Sequence, residues 1–235
     1  MGEILVLYDN RTIRDDLRPD WGFSALIALP PRRILFDTGS DGRILLGNMQ
    51  KLGVDPRGID TAVLSHPHGD HTGGLSVLLQ INPHLKVYLG RSFSRGFKKA
   101  LQREGAKPVE ITGPQRLFDA VYTTGELGRM LREQSLIIDT KEGLVVITGC
   151  AHPGIVPIAK AASEQLNDKI DLLLGGFHLG GTRQSEVYSI IDSLRELGVS
   201  RVGPCHCTGD RAIELFERGY KEGFIKVGVG LRIEF

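Results

Sequence analysis

Leu64-Ser65-His66-Pro67-His68-Gly69-Asp70-His71-Thr72-Gly73-Gly74-Leu75 carries the densest chemistry in the chain. Three histidines and an aspartate fall within the six positions from His66 to His71, in the pattern H-x-H-x-D-H. Thr61–Leu64 just before it is short and apolar, a strand. The apolar repeat over Gly74–Ile81 just after it reads as a helix. Four donors therefore crowd a turn at a strand end, with Gly69 allowing the chain to double back. Imidazole nitrogen and carboxylate oxygen are the donors that divalent transition metals take.

The same placement recurs downstream. His152 follows the strand Leu144–Thr148 in Gly149-Cys150-Ala151-His152. His178 follows the strand Asp171–Leu174 in Gly175-Gly176-Phe177-His178, and His206 follows Arg201–Gly203 in Pro204-Cys205-His206-Cys207. A lone loop histidine is ordinarily a hydrogen-bonded surface group; three in the same strand-then-loop position point to ligands. His84, in the turn Asn82-Pro83-His84, reads as a surface residue.

Around these loops, strands are expected at Glu3–Tyr8, Phe23–Leu29, Arg33–Phe36, Lys86–Leu89, Ala120–Thr123, Ser135–Asp139 and Phe224–Val229. Helices are expected at Arg43–Leu52, Phe97–Glu104, Ile155–Leu166, Ser185–Leu197 and Asp210–Arg218. In the Ser185 helix, Val187, Ile190, Ile191, Leu194 and Leu197 form one apolar face. Strands mixed with amphipathic helices through both halves predict an α/β protein: an αββα four-layer sandwich of two mixed sheets, a single domain over 1–235.

Composition narrows the function. The 235 residues are 41% hydrophobic and 24% charged, an ordinary soluble composition. Apolar runs such as Leu144–Ile147 fall far short of the ~20 residues of a spanning helix, so no membrane role is expected. With 29 basic against 28 acidic residues there is no positive field to gather nucleic-acid phosphates. Three cysteines do not make a disulfide framework, and Met1–Asn10 lacks the basic and apolar regions of a leader, so a reduced, cytoplasmic protein is expected. Thirty glycines, nearly twice the usual ~7%, announce tight turns and close backbone approaches.

The H-x-H-x-D-H segment, with Phe36-Asp37-Thr38-Gly39 upstream and separate histidine loops downstream, resembles the metallo-β-lactamase superfamily over essentially the whole chain. Asp9-Asn10, Gly22-Phe23-Ser24, Gly149-Cys150-Ala151-His152-Pro153-Gly154-Ile155 and Pro204-Cys205-His206-Cys207-Thr208-Gly209 carry a narrower similarity to its dihydropterin–aminobenzene–phosphate synthase branch. The resemblance implies two divalent metal ions, zinc first, with manganese or iron as alternatives. It implies His66, His68 and His152 on one ion, and Asp70, His71 and His206 on the other. Where most members place a bridging carboxylate, this chain has His178, whose single lone pair cannot bridge two ions. Either His178 is a terminal ligand and hydroxide alone bridges the ions, or one of the two sites is weak; His178 and Asp70 are also the catalytic candidates.

Asp37-Thr38-Gly39 is also the active segment of aspartic proteases, but those need two such carboxylates and the chain has one Asp-Thr-Gly. Asp37 is better read as a carboxylate that hydrogen-bonds the ligand loop. Cys150, Cys205 and Cys207 read as small buried thiols beneath the ligand loops. Arg11, Arg14 and Trp21, in the segment Asn10–Trp21, are candidate clamps for an anionic, ring-bearing substrate. The expected activity is a metal-dependent hydrolase using a metal-bound hydroxide on a small ester, foremost a phosphoester. The alternative is a synthase-type transferase displacing diphosphate with the same ligands.

Overall fold

Seven strands of the chain form one mixed sheet: β1 (Glu3–Tyr8), β2 (Ser24–Leu29), β3 (Arg32–Phe36), β4 (Thr61–Val63), β5 (Lys86–Gly90), β6 (Lys107–Ile111) and the last strand, β13 (Arg232–Glu234). Their order is β13-β1-β2-β3-β4-β5-β6, with the β13-to-β3 pairings antiparallel and those from β3 to β6 parallel. Helices α1 (Gly42–Lys51), α2 (Gly69–Thr72), α3 (Leu75–Ile81) and α4 (Arg95–Arg103) accompany it. The Asp41 side chain caps α1 by accepting from the N–H groups of Arg43 and Ile44. Because strand side chains alternate, Leu5, Leu7, Leu35 and Ala62 join the helical residues Leu45, Met49, Leu75 and Leu78 in one core. Ile4, Val6, Ile34 and Val63 are equally buried on the opposite face. Each such side chain contributes ~1.5–3 kcal/mol on burial.

A second mixed sheet contains β7 (Gln115–Phe118), β8 (Val121–Thr123), β9 (Leu136–Thr140), β10 (Gly143–Thr148), β11 (Ile170–Gly176) and β12 (Arg201–Cys205), in the order β12-β11-β10-β9-β8-β7. The strands from β7 to β10 pair antiparallel, whereas β10, β11 and β12 run parallel. A parallel return needs a crossover, supplied by α5 (Ile155–Leu166) and α6 (Gln184–Glu196); α7 (Asp210–Tyr220) follows β12. Leu144, Val146 and Leu173 pack with Ile158, Ala162, Ile191 and Phe216 of these helices. All of β10 is buried, which is why it reads as an uninterrupted apolar run.

These sheets belong to two compact units, one running through Thr112 with Val227–Phe235 added, the other Gly113–Lys226. The computed structural model describes residues 2–235; of the expected span 1–235, Met1 lies outside them. No helix among the described residues is long and apolar enough to cross a membrane.

The α/β class with two mixed sheets is as expected, and most element boundaries fall within two residues of expectation. Three differences stand out. The strand expected at Phe224–Val229 does not form; Phe224 and Val229 make only isolated bridges, to Val202 and Thr12, and the strand comes later as β13. Gly228 and Gly230 loosen that segment's strand pattern. Strands β6 and β7 were not expected. Both lie at sheet edges and are half exposed, so neither shows the apolar run of an inner strand.

Candidate metal centre

In the first unit, the parallel strands β3 and β4 end side by side and deliver Asp37 and the Ser65–His71 segment to one edge. Asp37 sits at φ 55°, a left-handed conformation uncommon for a non-glycine residue. The fold holds it there: the Asp37 N–H donates to Val63 O (3.0 Å), and the buried Ser24 hydroxyl donates to Asp37 O (2.8 Å). His68 stands at the N-terminal boundary of α2, and the carbonyl of His71 accepts from both the N–H (2.8 Å) and the hydroxyl (3.0 Å) of Thr38.

Proton bookkeeping around Asp37 fixes two imidazoles. The Ser65 N–H donates to Asp37 Oδ1 (2.7 Å) and the Ser65 hydroxyl to Oδ2 (2.6 Å). Ser65 Oγ has then used its proton, so at 2.9 Å from His66 Nδ1 it accepts, and Nδ1 of His66 carries the hydrogen. His71 Nδ1 lies 2.7 Å from Asp37 Oδ2, an acceptor-only oxygen, so it also carries its hydrogen. In the neutral rings, both Nε2 atoms keep the lone pair a metal would use. His66, His71 and Asp37 are fully buried, whereas His68 is exposed. The His66 ring centroid is 4.7 Å from that of His68 and 4.3 Å from that of His71. Asp70 Oδ2 lies 3.7 Å from His71 Nε2.

In the second unit, β10, β11 and β12 run parallel, so their C-terminal ends share one edge, where such sheets place ligand-binding loops. His152, His178 and His206 follow these three ends in turn. At the junction Gly175 has φ 128°, and a Cβ there would stand 2.0 Å from Thr148 O; only glycine allows the two strand ends this close. Ala151, His178 and His206 all have positive φ, near 58°, 52° and 50°. Strain of this kind persists only where surrounding structure over-determines it. The chain does not run extended past β12 but enters a single 3-10 turn at His206–Thr208.

Over-determination is visible at the His152 loop. The fully buried Glu133 accepts on Oε1 from the Thr148 hydroxyl (2.9 Å) and from the N–H groups of Gly149 (2.9 Å), Cys150 (2.9 Å) and Ala151 (3.0 Å). Its Oε2 accepts from the His152 N–H (2.9 Å). One carboxylate thus pins the whole loop. Sequence reasoning missed it, since Glu133 lies in an unremarkable polar stretch and no motif links it to His152.

One ligand atom each from Cys150, His152 and His178 lie within 4.8 Å of one another, and the Cys150 sulfur is likewise within 4.8 Å of a His206 nitrogen. The His152 and His178 rings are 4.4 Å apart between centroids. Cys150, read from sequence as a packing thiol, is buried but stands among the donors. The Cys207 thiol is held down to about 6, first by its hydrogen bond with Cys150 and then by the neighbouring His206 and His178, against the upward push of burial. Asp171, the nearest carboxylate along the chain before His178, is paired with Arg201 instead. A cavity of about 300 Å³ adjoins His152 and His178 and is lined largely by Ile155, Val156, Phe177 and Leu179, with Glu186 and Thr182 as polar members.

The donor chemistry fits divalent metal ions: both units offer histidine nitrogens at strand ends, with tautomers fixed at His66 and His71. The proposed substrate clamps are less poised. Arg14 is engaged with Asp16 through Nε–Oδ1 (3.0 Å) and Nη2–Oδ2 (2.8 Å). Trp21 is 56% exposed, and the loop that carries these residues is tied by backbone hydrogen bonds between Arg11, Ile13 and Val229. His84 is exposed, as expected.

The family model of the metallo-beta-lactamase superfamily matches residues 19–162. The chain is 30% identical over 249 aligned positions to the 7,8-dihydropterin-6-methyl-4-(beta-D-ribofuranosyl)-aminobenzene-5'-phosphate synthase of Methanocaldococcus jannaschii, covering 87% of this chain and 85% of that protein. Among solved structures, it is similar to Tm1679, a metal-dependent hydrolase of the beta-lactamase superfamily, with a TM-score of 0.85, 30% identity, and coverage of 100% and 99% of the two chains. A diphosphatase from the PhnP family shares the fold at a TM-score of 0.65 and 15% identity, over 100% of this chain and 98% of that one.

Proposed function

The chain belongs to the metallo-beta-lactamase superfamily, and from that premise we propose a metal-dependent hydrolase acting on a small phosphoester. The observation that carries it is the pair of imidazoles whose Nδ1 hydrogens are fixed, His71 by Asp37 and His66 by the Ser65 hydroxyl that Asp37 accepts from. The proposed ligands are His66, His68 and His152 for one ion and Asp70, His71 and His206 for the other, with His178 as a terminal donor. Bound there, divalent ions would supply a nucleophile at neutral pH and polarise the bond to be cut.

The chain's own residues do the rest. Asp37 keeps the proton on Nδ1 of His71 directly and, through the Ser65 hydroxyl, that on Nδ1 of His66. Glu133 fixes the height of the His152 loop. Asp70 would take the proton of the attacking water on its carboxylate and return it to the departing group. The apolar cavity beside His152 and His178 receives the non-reacting, carbon-rich part of the substrate.

The similarity to the dihydropterin–aminobenzene–phosphate synthase supports a second reading, a transferase in which an acceptor attacks instead of water and diphosphate leaves. One experiment separates the two. Protein purified without added metal is analysed for metal content, then assayed on a panel of phosphoesters and diphosphates with and without an aminobenzoate-like acceptor. Phosphate release that needs no acceptor supports the hydrolase. Pyrophosphate release only with acceptor supports the transferase. Absence of both metal and turnover overturns the proposal.

A further inference from the structure

We propose that Cys150 is a thiolate ligand of the metal centre, supplying the anionic donor that His178 cannot. The inference rests on the metal-binding reading above and adds a ligand to it. The Cys150 sulfur lies within 4.8 Å of donor nitrogens of His152 and His178, and also of one of His206. His152 and His206 are proposed for different ions, so the sulfur is placed within reach of the ligands of both. The position is built: the Cys150 N–H donates to Glu133 Oε1 at 2.9 Å, and the N–H groups on either side of it do the same.

Charge explains why a sulfur is needed there. Every histidine in the proposed set is neutral when it ligates, leaving Asp70 as the one carboxylate to face two divalent ions. An uncompensated positive charge beside the buried Cys150 and His206 is costly. An imidazole offers one lone pair and no charge, whereas a thiolate offers a full negative charge and more than one lone pair. When metal binds, the S–H bond breaks, a sulfur–metal bond forms, and the proton leaves to solvent. Thiolate is a soft donor, so its presence selects zinc, iron or cobalt over manganese or magnesium.

The other cysteines are placed differently. Cys207 directs its thiol at the Cys150 carbonyl oxygen (3.6 Å), and a Cβ on Gly176 would meet its sulfur at 2.7 Å, so it packs beneath β11. Among the described residues, neither Cys205 nor Cys207 falls within a group of metal donors.

The test uses the full chain stripped of metal and reloaded. Cobalt(II) titration of the wild type should develop a near-ultraviolet thiolate-to-cobalt charge-transfer band. Cys207→Ala and Cys205→Ala should keep that band, and Cys150→Ala should lose it while its zinc affinity falls at least tenfold. X-ray absorption of the zinc-loaded wild type should show a sulfur shell at ~2.3 Å, a measurement that does not depend on any variant folding. A wild type that binds zinc with nitrogen and oxygen shells only, or a band that survives in Cys150→Ala, overturns the assignment of Cys150 and leaves the metal-binding reading standing. A wild type that binds no metal overturns both.

Discussion

Asp37→Asn is the sharpest probe of how this protein prepares its ligands. The substitution keeps shape and volume but replaces one carboxylate oxygen with an NH2 group. In the native chain both oxygens only accept: Oδ1 from the Ser65 N–H, Oδ2 from the Ser65 hydroxyl and His71 Nδ1. With the amide nitrogen at the Oδ2 position, His71 Nδ1 faces a donor. It must then shed its hydrogen to Nε2, which removes the lone pair needed for a metal. With the amide reversed, the NH2 group faces the Ser65 N–H and pushes on the residue next to His66. Either orientation sets donor against donor in a fully buried place, worth ~1–3 kcal/mol. At ~1.4 kcal/mol per tenfold, metal affinity should fall about ten- to hundredfold. Competition against a chromophoric chelator measures this directly, and ¹⁵N shifts of the His71 ring in the metal-free protein report its tautomer. An affinity within twofold of wild type, with His71 still protonated on Nδ1 and the fold intact, would refute the role given to Asp37.

Further expectations concern the scaffold. Glu133→Gln places an NH2 group against either the His152 N–H or the cluster of donors at Oε1, so unfolding in denaturant should come ~2–3 kcal/mol easier; Glu133→Ala should cost more, and an unchanged midpoint would contradict its pinning role. Gly175→Ala drives a Cβ into the Thr148 carbonyl and should destabilise by ~3 kcal/mol, read from the same denaturation midpoint. The buried Tyr220 hydroxyl makes no hydrogen bond among the described residues, and burial pushes its pKa up to about 12 despite Arg195 nearby. A raised folded pKa keeps stability below the unfolded value near 10 and loses it as pH climbs toward 12. Tyr220→Phe should therefore match or exceed wild type by ~1 kcal/mol at neutral pH and show a shallower loss of thermal midpoint between pH 10 and 12; parallel losses in the two proteins would rule out Tyr220 as a contributor.

Much of the fold was written locally. The strand β1 and the helix α5 begin and end where the apolar pattern places them, because an inner strand or a helix facing a core must repeat its apolar residues at a fixed period. The strand-end placement of the H-x-H-x-D-H turn and of the three later histidines was legible, because the strand-then-loop pattern exposes it. Edge strands β6 and β7 were not legible, since half-exposed strands carry no such period.

Relations at a distance, by contrast, were set by how the strands pack. Glu133 reaches a loop that begins fifteen residues later, at Thr148, and a lone glutamate in a polar stretch carries no sign of that destination. Asp37 meets His71 and Ser65 because β3 and β4 end side by side, a pairing that chain order alone does not state. Cys150 looks like any small buried thiol until three parallel strand ends gather His152, His178 and His206 around it. Periodicity encodes which face of an element is buried. It does not encode which buried polar groups will meet, because hydrogen bonds and ligation depend on ångström-scale positions set by the packing of the whole sheet.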